Sequence, residues 1–381
     1  GAGTAGGERP AILAVTAEEG REDDEARLVF ATDRPVEPEV FTLTGPARLV
    51  IDLAPFDWRA GGVAPDDLPF VGTLRHGLFR HDRGRIVLGL EEPVAVRRVE
   101  TVRGGEGAPG VALTLAPTEP EGFALTAGWP PGARWEPEAP RNRPETEDVV
   151  VLIDPGHGGI DPGASSHGLV EKTIVLDFGR RLRAHVDAVP GVTAVMTRED
   201  DRFVPLRARL AIAREVGANV LVSLNTDALA SGEADGVRFY TLSRRGVDSA
   251  AEAFAERENR SDVIAGADLS GREDTLARVL IDLARRGTNA ESIALARGMR
   301  GLLDGAVDLL DTRPHRFGNF YVLKAPDMPS VLVELGFLNS AADRERLTDP
   351  AWQETVAARL ASAIERWVAE APEGFLERRG F

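Results

Sequence analysis

A histidine follows directly on a strongly apolar run of the sequence. Residues 149–154 read Val-Val-Val-Leu-Ile-Asp, and the next five, Pro-Gly-His-Gly-Gly, place His157 between glycines. Such a run predicts a buried strand, and open α/β sheets bind ligands just beyond the carboxyl ends of their strands. His157 is therefore a candidate functional residue. An ordinary turn residue or part of a weak phosphate-binding loop is the alternative for a histidine in this setting.

Two carboxylates could share chemistry with this histidine. Glu334 interrupts the apolar run at 331–337. An unpaired charge would be costly to bury there, which suits a general acid or base acting on metal-bound water. A structural salt bridge is the alternative for this residue. Glu171 begins a predicted helix, where its charge would be favourable through the helix dipole alone.

A third predicted strand ends with two polar residues, Asn225 and Asp227. Strand alternation directs their side chains to the same side. We therefore expect the strand ends that carry His157, Asn225 and Glu334 to converge on one cleft.

The elements that must position these residues form an α/β pattern from Val149 onward. Continuous apolar or β-branched runs predict strands that are buried on both faces, and amphipathic segments predict helices between them. The pattern indicates a twisted, mostly parallel sheet with helices on both faces. The predicted strands are 149–154, 192–196, 219–224, 237–242 and 331–335, and the predicted helices are 171–187, 205–216, 246–259, 273–286, 290–308 and 350–369.

The chain before residue 127 has a different pattern. Short alternating runs separated by turn-forming residues predict a small all-β sandwich over 9–126. The proline-rich stretch 127–148 is typical of a semi-extended linker. We expect tails at 1–8 and 370–381, and the α/β domain at 149–369.

Composition excludes several classes of protein. A length of 381 residues allows two separate cores, and a net charge of -16 argues against nucleic-acid binding. With no cysteine, any metal must be held by ligands such as His, Asp or Glu. No apolar run approaches the roughly 20 residues of a membrane span. No targeting segment is visible at the start, so we expect it to be absent or already removed.

Several phrases together resemble the periplasmic cell-division family of zinc-dependent N-acetylmuramoyl-L-alanine amidases, in order and in spacing, over nearly all of 149–369. The stretch 41–53, with the runs after it, resembles the AMIN domain found before envelope amidases. The phrases that carry the first resemblance are Asp-Pro-Gly-His-Gly-Gly at 154–159, Glu171, Met-Thr-Arg-Glu-Asp at 196–200, Leu-Arg-Ala-Arg-Leu at 206–210, 222–228, 237–243 and 322–338.

The resemblance implies a site and a reaction. It implies that His157, Glu171 and a second histidine hold Zn2+, and that Glu334 handles the proton. The implied reaction is hydrolysis of the amide between N-acetylmuramic acid and L-alanine in peptidoglycan, in septal cell-wall splitting. The mature chain would be periplasmic.

The sequence departs from the family at the second histidine. The family's Ser-x-His-Ala-Asp-Ala reads Ser-Leu-Asn-Thr-Asp-Ala at 223–228, so Asn225 stands where the third ligand belongs. An amide oxygen is a weak zinc donor, which predicts weak or absent zinc. Asp227, His167 and His315 are the candidate substitutes.

The segment 273–289 resembles the family's inhibitory helix, which plugs the active site until an activator with a LytM-type domain displaces it. Some relatives place a glutamate there that reaches the zinc, and Gly287 occupies that position here. Gly287 as the C-terminal cap of an ordinary helix is the alternative.

Three functions remain open at this point. The first is a zinc amidase. The second is a catalytically impaired pseudo-amidase, with Asn225 in place of the ligand, that binds peptidoglycan or a regulator. The third is an unrelated phosphate-binding α/β protein, which the absence of Lys-Ser or Lys-Thr after the glycines disfavours.

Overall fold

The computed structural model describes most of the chain. The ranges are 9–22, 24–103, 108–133, 148–228, 235–242, 249–260, 275–307, 313–325 and 328–371, with the backbone alone at 249–250 and 275–287. The predicted tail 1–8 and most of the predicted tail 370–381 lie outside them. None of the helices in these ranges has the length and apolar character that crossing a membrane requires.

The alternating runs of the N-terminal part form two sheets. One has five strands in the order β5-β1-β2-β9-β8, and the other has four in the order β3-β4-β7-β6. The elements are β1 (Ala11–Glu19), β2 (Ala26–Thr32), β3 (Glu39–Leu43), β4 (Arg48–Leu53), β5 (Asp57–Trp58), β6 (Val71–Arg80), β7 (Arg83–Leu90), β8 (Val94–Arg103), β9 (Pro109–Pro117) and the helix α1 (Pro120–Thr126).

The two sheets share one core. Alternate residues of β4, such as Leu49 and Ile51, pack with Leu28 and Leu113 from the opposite sheet. Burial of one face of each strand is what the alternating pattern requires. The predicted all-β sandwich is confirmed.

The outer face of β4 is covered as well. Val50 packs with Phe41, Trp129 and Ala133. Arg85 donates to Asp52 at 2.6 and 2.7 Å and to the carbonyl of Ala133 at 2.7 Å. Residues 128–133, at the start of the predicted linker, are therefore docked on this domain, because Trp129 buries apolar surface there.

The C-terminal part contains a six-stranded sheet in the order β13-β10-β14-β17-β15-β16. Neighbours from β13 to β17 are parallel, β15 runs antiparallel to β17, and β16 is parallel to β15. The predicted fold class is confirmed. The strands are β10 (Val149–Pro155), β13 (Val192–Met196), β14 (Val220–Asp227), β15 (Arg238–Leu242), β16 (His315–Gly318) and β17 (Ser330–Phe337), with a separate hairpin of β11 (Ser165–Ser166) and β12 (Leu169–Val170).

Helices cover both faces of this sheet. One core contains residues of α2, α5 and α7, and the other contains residues of α3, α4 and a 3-10 turn at Tyr321–Leu323. The two predicted helices at 273–286 and 290–308 form one helix, because the helix continues through Gly287. The helices are α2 (Glu171–Asp187), α3 (Leu206–Glu215), α4 (Ser249–Asn259), α5 (Thr275–Leu303), α6 (Ala341–Thr348) and α7 (Pro350–Glu370).

The outer strand β16 carries a partly buried histidine. His315 Nε2 lies 3.0 Å from Thr241 Oγ1, and its ring lies beside Phe317. Burial, together with the nearby Arg297 and Arg300, lowers the pKa of His315 to about 4. A histidine that is kept neutral in the folded chain makes stability depend on pH.

We expect His315→Gln to reduce the acid sensitivity of the C-terminal domain. The unfolded chain binds this proton near pH 6.5, so the free energy of unfolding should be retained above that pH. It should fall by roughly 1–2 kcal/mol as the pH drops towards 4, because the partial exposure of His315 screens the effect. Urea unfolding at pH 7 and pH 4.5 measures the loss, and His167→Gln, in an exposed turn, is the control. Equal acid losses in wild type and His315→Gln would contradict this prediction.

Candidate active site

The loop after β10 holds His157 in a left-handed backbone conformation, with a φ of 56°. This conformation is uncommon for a residue with a side chain and costs of the order of 1 kcal/mol. His157 is 8% exposed. The loop begins where β10 ends at Pro155, so the histidine lies at the carboxyl edge of the sheet, where the sequence placed it.

Glu171 meets this histidine from the first residue of α2. Its Oε2 lies 3.2 Å from His157 Nε2. The same oxygen accepts from the backbone N–H of Ala164 at 2.8 Å, and Oε1 accepts from the N–H of Thr226 at 2.8 Å. Burial raises the pKa of Glu171, and the neighbouring His157 opposes that rise. Glu171 is therefore fixed from two sides, beyond any role in the helix dipole.

A glycine that the sequence analysis did not single out allows this approach. Gly163 has a φ of 68°, and a Cβ on it would lie 2.5 Å from Glu171 Oε2 and 2.7 Å from His157 Cδ2. Any larger residue would separate the pair. Only the packing of the loop against α2 reveals the need, because a glycine between two loop residues carries no distinct local signal.

Asn225 lies on β14 in a chain of buried polar groups. Its Nδ2 donates to Ser223 Oγ at 3.3 Å, and Ser223 Oγ donates to Asp154 Oδ2 at 3.1 Å. A Cβ on Gly156 would come within 2.4 Å of Asn225 Oδ1, so the amide oxygen lies directly against that glycine. The amide is thus held between the His157 loop and the sheet.

Glu334 is paired in register with Asn225 on the adjacent strand. It is fully buried, and neither carboxyl oxygen has a hydrogen-bond partner among the residues that the structure describes. Burial raises the pKa of Glu334 well above its usual value, and the negative charges of Asp227, Glu171 and Glu258 raise it further. Glu334 is therefore a buried carboxyl group that interacts electrostatically with Glu171 and Glu258 of the His157 site.

Asp227, one of the candidate substitutes for the missing histidine, has another partner. Its Oδ2 accepts from Arg257 of α4, and its Oδ1 accepts from the N–H of Ala228 at 2.7 Å. The register between β14 and β17 also shifts between Asn225 and Asp227.

The other two candidate substitutes lie elsewhere. His167 is exposed in the β11–β12 turn, with its Nδ1 2.8 Å from Ser166 Oγ. His315 contacts Thr241 on the outer strand pair, three strands from β14. The structure therefore brings neither of them to the His157 pair.

A glutamate that the sequence analysis missed does reach His157. Glu258, near the end of α4, places Oε2 3.3 Å from His157 Nε2. The residues on either side of it are also engaged. Arg257 binds Asp227, and Asn259 accepts from the N–H of Tyr321 at 2.7 Å. Three consecutive residues at the end of α4 therefore contact residues in and around the site.

Gly287 lies in the interior of α5, so the alternative in which it caps a helix is wrong. A regulatory role for Gly287 stays a prediction. The segment named from the sequence, 273–289, begins outside the described residues, and a glutamate from α4 occupies the place beside His157.

A cleft with an empty volume of about 340 Å³, part of it open to solvent, is lined by His157, Asn225 and Glu258. No group of three His, Asp or Glu side chains suited to hold a metal occurs within the described ranges. The polar lining of the cleft also includes Asp154, Gly156, Arg209, Ser223 and Asn259.

Comparison with known proteins identifies the family of the chain. The family model described as N-acetylmuramoyl-L-alanine amidase matches residues 151–366, which include the whole cleft. The chain belongs to this amidase family. The model of the AMIN domain matches residues 18–111 of the N-terminal sandwich. Both resemblances seen in the sequence are therefore confirmed.

Individual relatives cover both domains. The amidase AmiC of Neisseria meningitidis serogroup B is 31% identical over 363 residues, which are 90% of this chain and 86% of that protein. AmiC of Escherichia coli O6:H1 is 29% identical over 378 residues, 93% of this chain and 88% of that protein. Among solved structures, the amidase AmiC2 of Nostoc punctiforme is 28% identical, covers 59% of this chain and 99% of its own, and has a TM-score of 0.44.

The amidase family acts on peptidoglycan and is generally zinc-dependent. Membership favours a hydrolase over the non-catalytic binding protein that Asn225 suggested. The AMIN domain and the AmiC relatives indicate a protein of the periplasm.

Proposed function

We propose that this chain hydrolyses the amide bond between N-acetylmuramic acid and L-alanine of peptidoglycan in the periplasm, during septal cell-wall splitting. The contact between His157 and Glu171 at the sheet edge carries the proposal. The AMIN domain would direct the enzyme to the cell envelope.

The donor pair fits zinc in spacing and in chemistry. Zinc bonds of about 2.0–2.1 Å in a tetrahedron place two ligand atoms roughly 3.3 Å apart. His157 Nε2 and Glu171 Oε2 are 3.2 Å apart, and imidazole and carboxylate are ordinary zinc donors. His157 and Glu171 would therefore hold the ion.

The third position fits less well. Asn225 offers a neutral amide oxygen, and its Nδ2 donates to Ser223. A neutral oxygen attracts zinc less strongly than an imidazole nitrogen does. We therefore propose that Asn225 is a weak third ligand and that the site loses zinc readily.

The residues of the cleft have separate tasks in the reaction. Zinc held by His157 and Glu171 would supply Lewis acidity for the scissile carbonyl and would lower the pKa of a water molecule. Glu334 takes a proton from the attacking water and returns it to the nitrogen of L-alanine as the C–N bond breaks. The raised pKa of Glu334 favours retention of that proton between the two transfers.

Glu334→Gln should lower kcat for stem-peptide release from muropeptides by about 10²- to 10⁴-fold, because the amide cannot carry the proton. The fold should survive, since the Glu334 carboxyl makes no hydrogen bond with the described residues and its burial as a charge is unfavourable. Peptide release followed by chromatography, together with thermal unfolding, measures both effects. Glu365→Gln, at an exposed position of α7, is the control. Unchanged kcat in Glu334→Gln would exclude the proposed role.

Asn225→His should raise both zinc occupancy and peptide release, because it restores an imidazole nitrogen at the third position. Purified wild type should contain less than one zinc per chain, as measured by elemental analysis after dialysis. Arg214→His, which adds a histidine at an exposed position of α3, controls for non-specific binding. Equal zinc content in wild type and Asn225→His would count against the site.

Regulation can be proposed at the same place. We propose that the end of α4 blocks the site through Glu258 and that an activator protein, of the LytM-type class, displaces it. The contact between Glu258 and His157, with the neighbouring contacts of Arg257 and Asn259, supports this proposal.

Glu258→Ala should raise peptide release in the absence of any activator, because the substrate no longer competes with a carboxylate for the cleft. The rate of muropeptide cleavage by purified protein measures the effect. Glu256→Ala, exposed on the same helix, is the control and should behave as wild type. A Glu258→Ala rate at or below wild type would refute the blocking role.

A further inference from the structure

Two arginines are buried around the loop that carries His157. Arg198 follows β13 and is 0% exposed, and Arg209 lies in α3 and is 2% exposed. Both belong to phrases of the amidase resemblance, but the proposed reaction gives neither a task. Burial of a guanidinium is costly unless all of its donors are satisfied.

All three guanidinium nitrogens of Arg209 donate hydrogen bonds to this loop or to residues next to it. Its Nη1 donates to Asp154 Oδ1 at 2.6 Å and to the carbonyl of Pro155 at 2.7 Å. Its Nη2 donates to the carbonyl of His157 at 2.8 Å, and its Nε donates to the carbonyl of Val204 at 2.9 Å. The backbone of the histidine itself is therefore bound to α3.

Arg198 binds the residues just before the histidine. Its Nε donates to the carbonyl of Pro155 at 3.1 Å, and its Nη2 donates to the carbonyl of Gly156 at 2.8 Å. The same Nη2 donates to the carbonyl of Lys172 at 2.8 Å, next to Glu171, and Nη1 donates to the carbonyl of Asp200 at 3.1 Å. Arg198 thus links the loop to the beginning of α2.

Taken together, the two side chains bind the carbonyls of three consecutive residues, Pro155, Gly156 and His157. They place two positive charges close together, and the carboxylate of Asp154 accepts a hydrogen bond from Arg209. Burial and the charge of Arg209 lower the pKa of Arg198 to about 10. Burial of two neighbouring guanidiniums costs free energy, which the hydrogen bonds to Asp154 and to the loop carbonyls offset.

The backbone conformation of His157 suggests a role for the two buried guanidiniums. A left-handed histidine is held against its own backbone preference, and it must present Nε2 to Glu171 rather than turn away. We propose that Arg198 and Arg209 are positioning residues, which fix the backbone of 155–157 and so aim the His157 ring at Glu171. They act through the backbone of the loop that carries His157, and Arg209 also lines the cleft.

Lysine cannot replace either arginine in this task. A guanidinium presents five donors in a rigid planar fork, whereas an ammonium is a single point charge on a flexible stem. Arg209→Lys retains the positive charge near Asp154 but cannot reach Pro155, Val204 and His157 in the same geometry. The substitution therefore separates positioning from simple charge compensation.

The test compares Arg209→Lys and Arg198→Lys with Leu210→Ala, which removes apolar packing from the same helix and leaves both guanidiniums in place. In metal-free protein, the ¹⁵N and ¹H signals of the His157 ring are assigned with the help of His157→Gln. We expect one sharp set of ring signals in wild type and Leu210→Ala. We expect shifted or exchange-broadened signals in both arginine variants. The kinetic test rests on the proposed function: kcat should fall about 10- to 100-fold with KM within twofold of wild type.

The outcomes are distinct. Wild-type ring signals in a folded arginine variant overturn the proposal, as does an equal disturbance in Leu210→Ala at the same loss of thermal stability. If one arginine variant does not fold, the other decides. The ring signals of metal-free protein do not depend on catalysis. An inactive wild type would therefore refute the proposed function, and the ring signals would still test the positioning role of the two arginines.

Discussion

The contact between His157 and Glu171 is the constraint on which the rest of this site depends. Both side chains are buried at the carboxyl edge of a parallel sheet, where burial of a charge is costly. Glu171 is therefore tied to two backbone N–H groups, from Ala164 and Thr226, which belong to different segments. The loop that carries the histidine adopts a left-handed backbone, Gly163 leaves room for the approach, and the charge cost is spread over many neighbours.

Strand alternation explains why the remaining groups gather at the same place. Asp154, Ser223, Asn225 and Glu334 continue the rows of apolar residues that build the core under α3 and α4. Where the rows reach the carboxyl end of the sheet, polar residues replace apolar ones. The end of α4 lies next to these polar residues. Its Glu258, which the sequence analysis did not predict as a site residue, therefore contacts His157.

Much of the fold followed from local pattern. The alternating runs predicted the sandwich, and the apolar runs predicted five of the six strands of the sheet to within a few residues, because the hydrophobic pattern of a segment reflects how many of its faces are buried. The outer strand β16 was missed. Two interpretations failed for non-local reasons. Helix α5 is continuous through Gly287, since packing against α7 and the sheet outweighs the cost of one glycine. Residues 128–133 pack on β4 because Trp129 contacts an apolar cluster that includes Phe41 and Val50. The local sequence pattern does not predict this contact.

The sequence by itself determined which residues could do chemistry: a histidine after a buried strand, an acid at the start of a helix, an acid inside an apolar run, and an asparagine where the family has a histidine. Each can be recognised because a polar residue interrupts the hydrophobic pattern of its segment or marks where that segment begins or ends. Only the tertiary structure decided the partners, namely Glu258 beside His157, Arg257 beside Asp227, and the two arginines around 155–157. Such contacts join side chains that are far apart along the chain, and their energies depend on distance and burial, which no periodicity encodes.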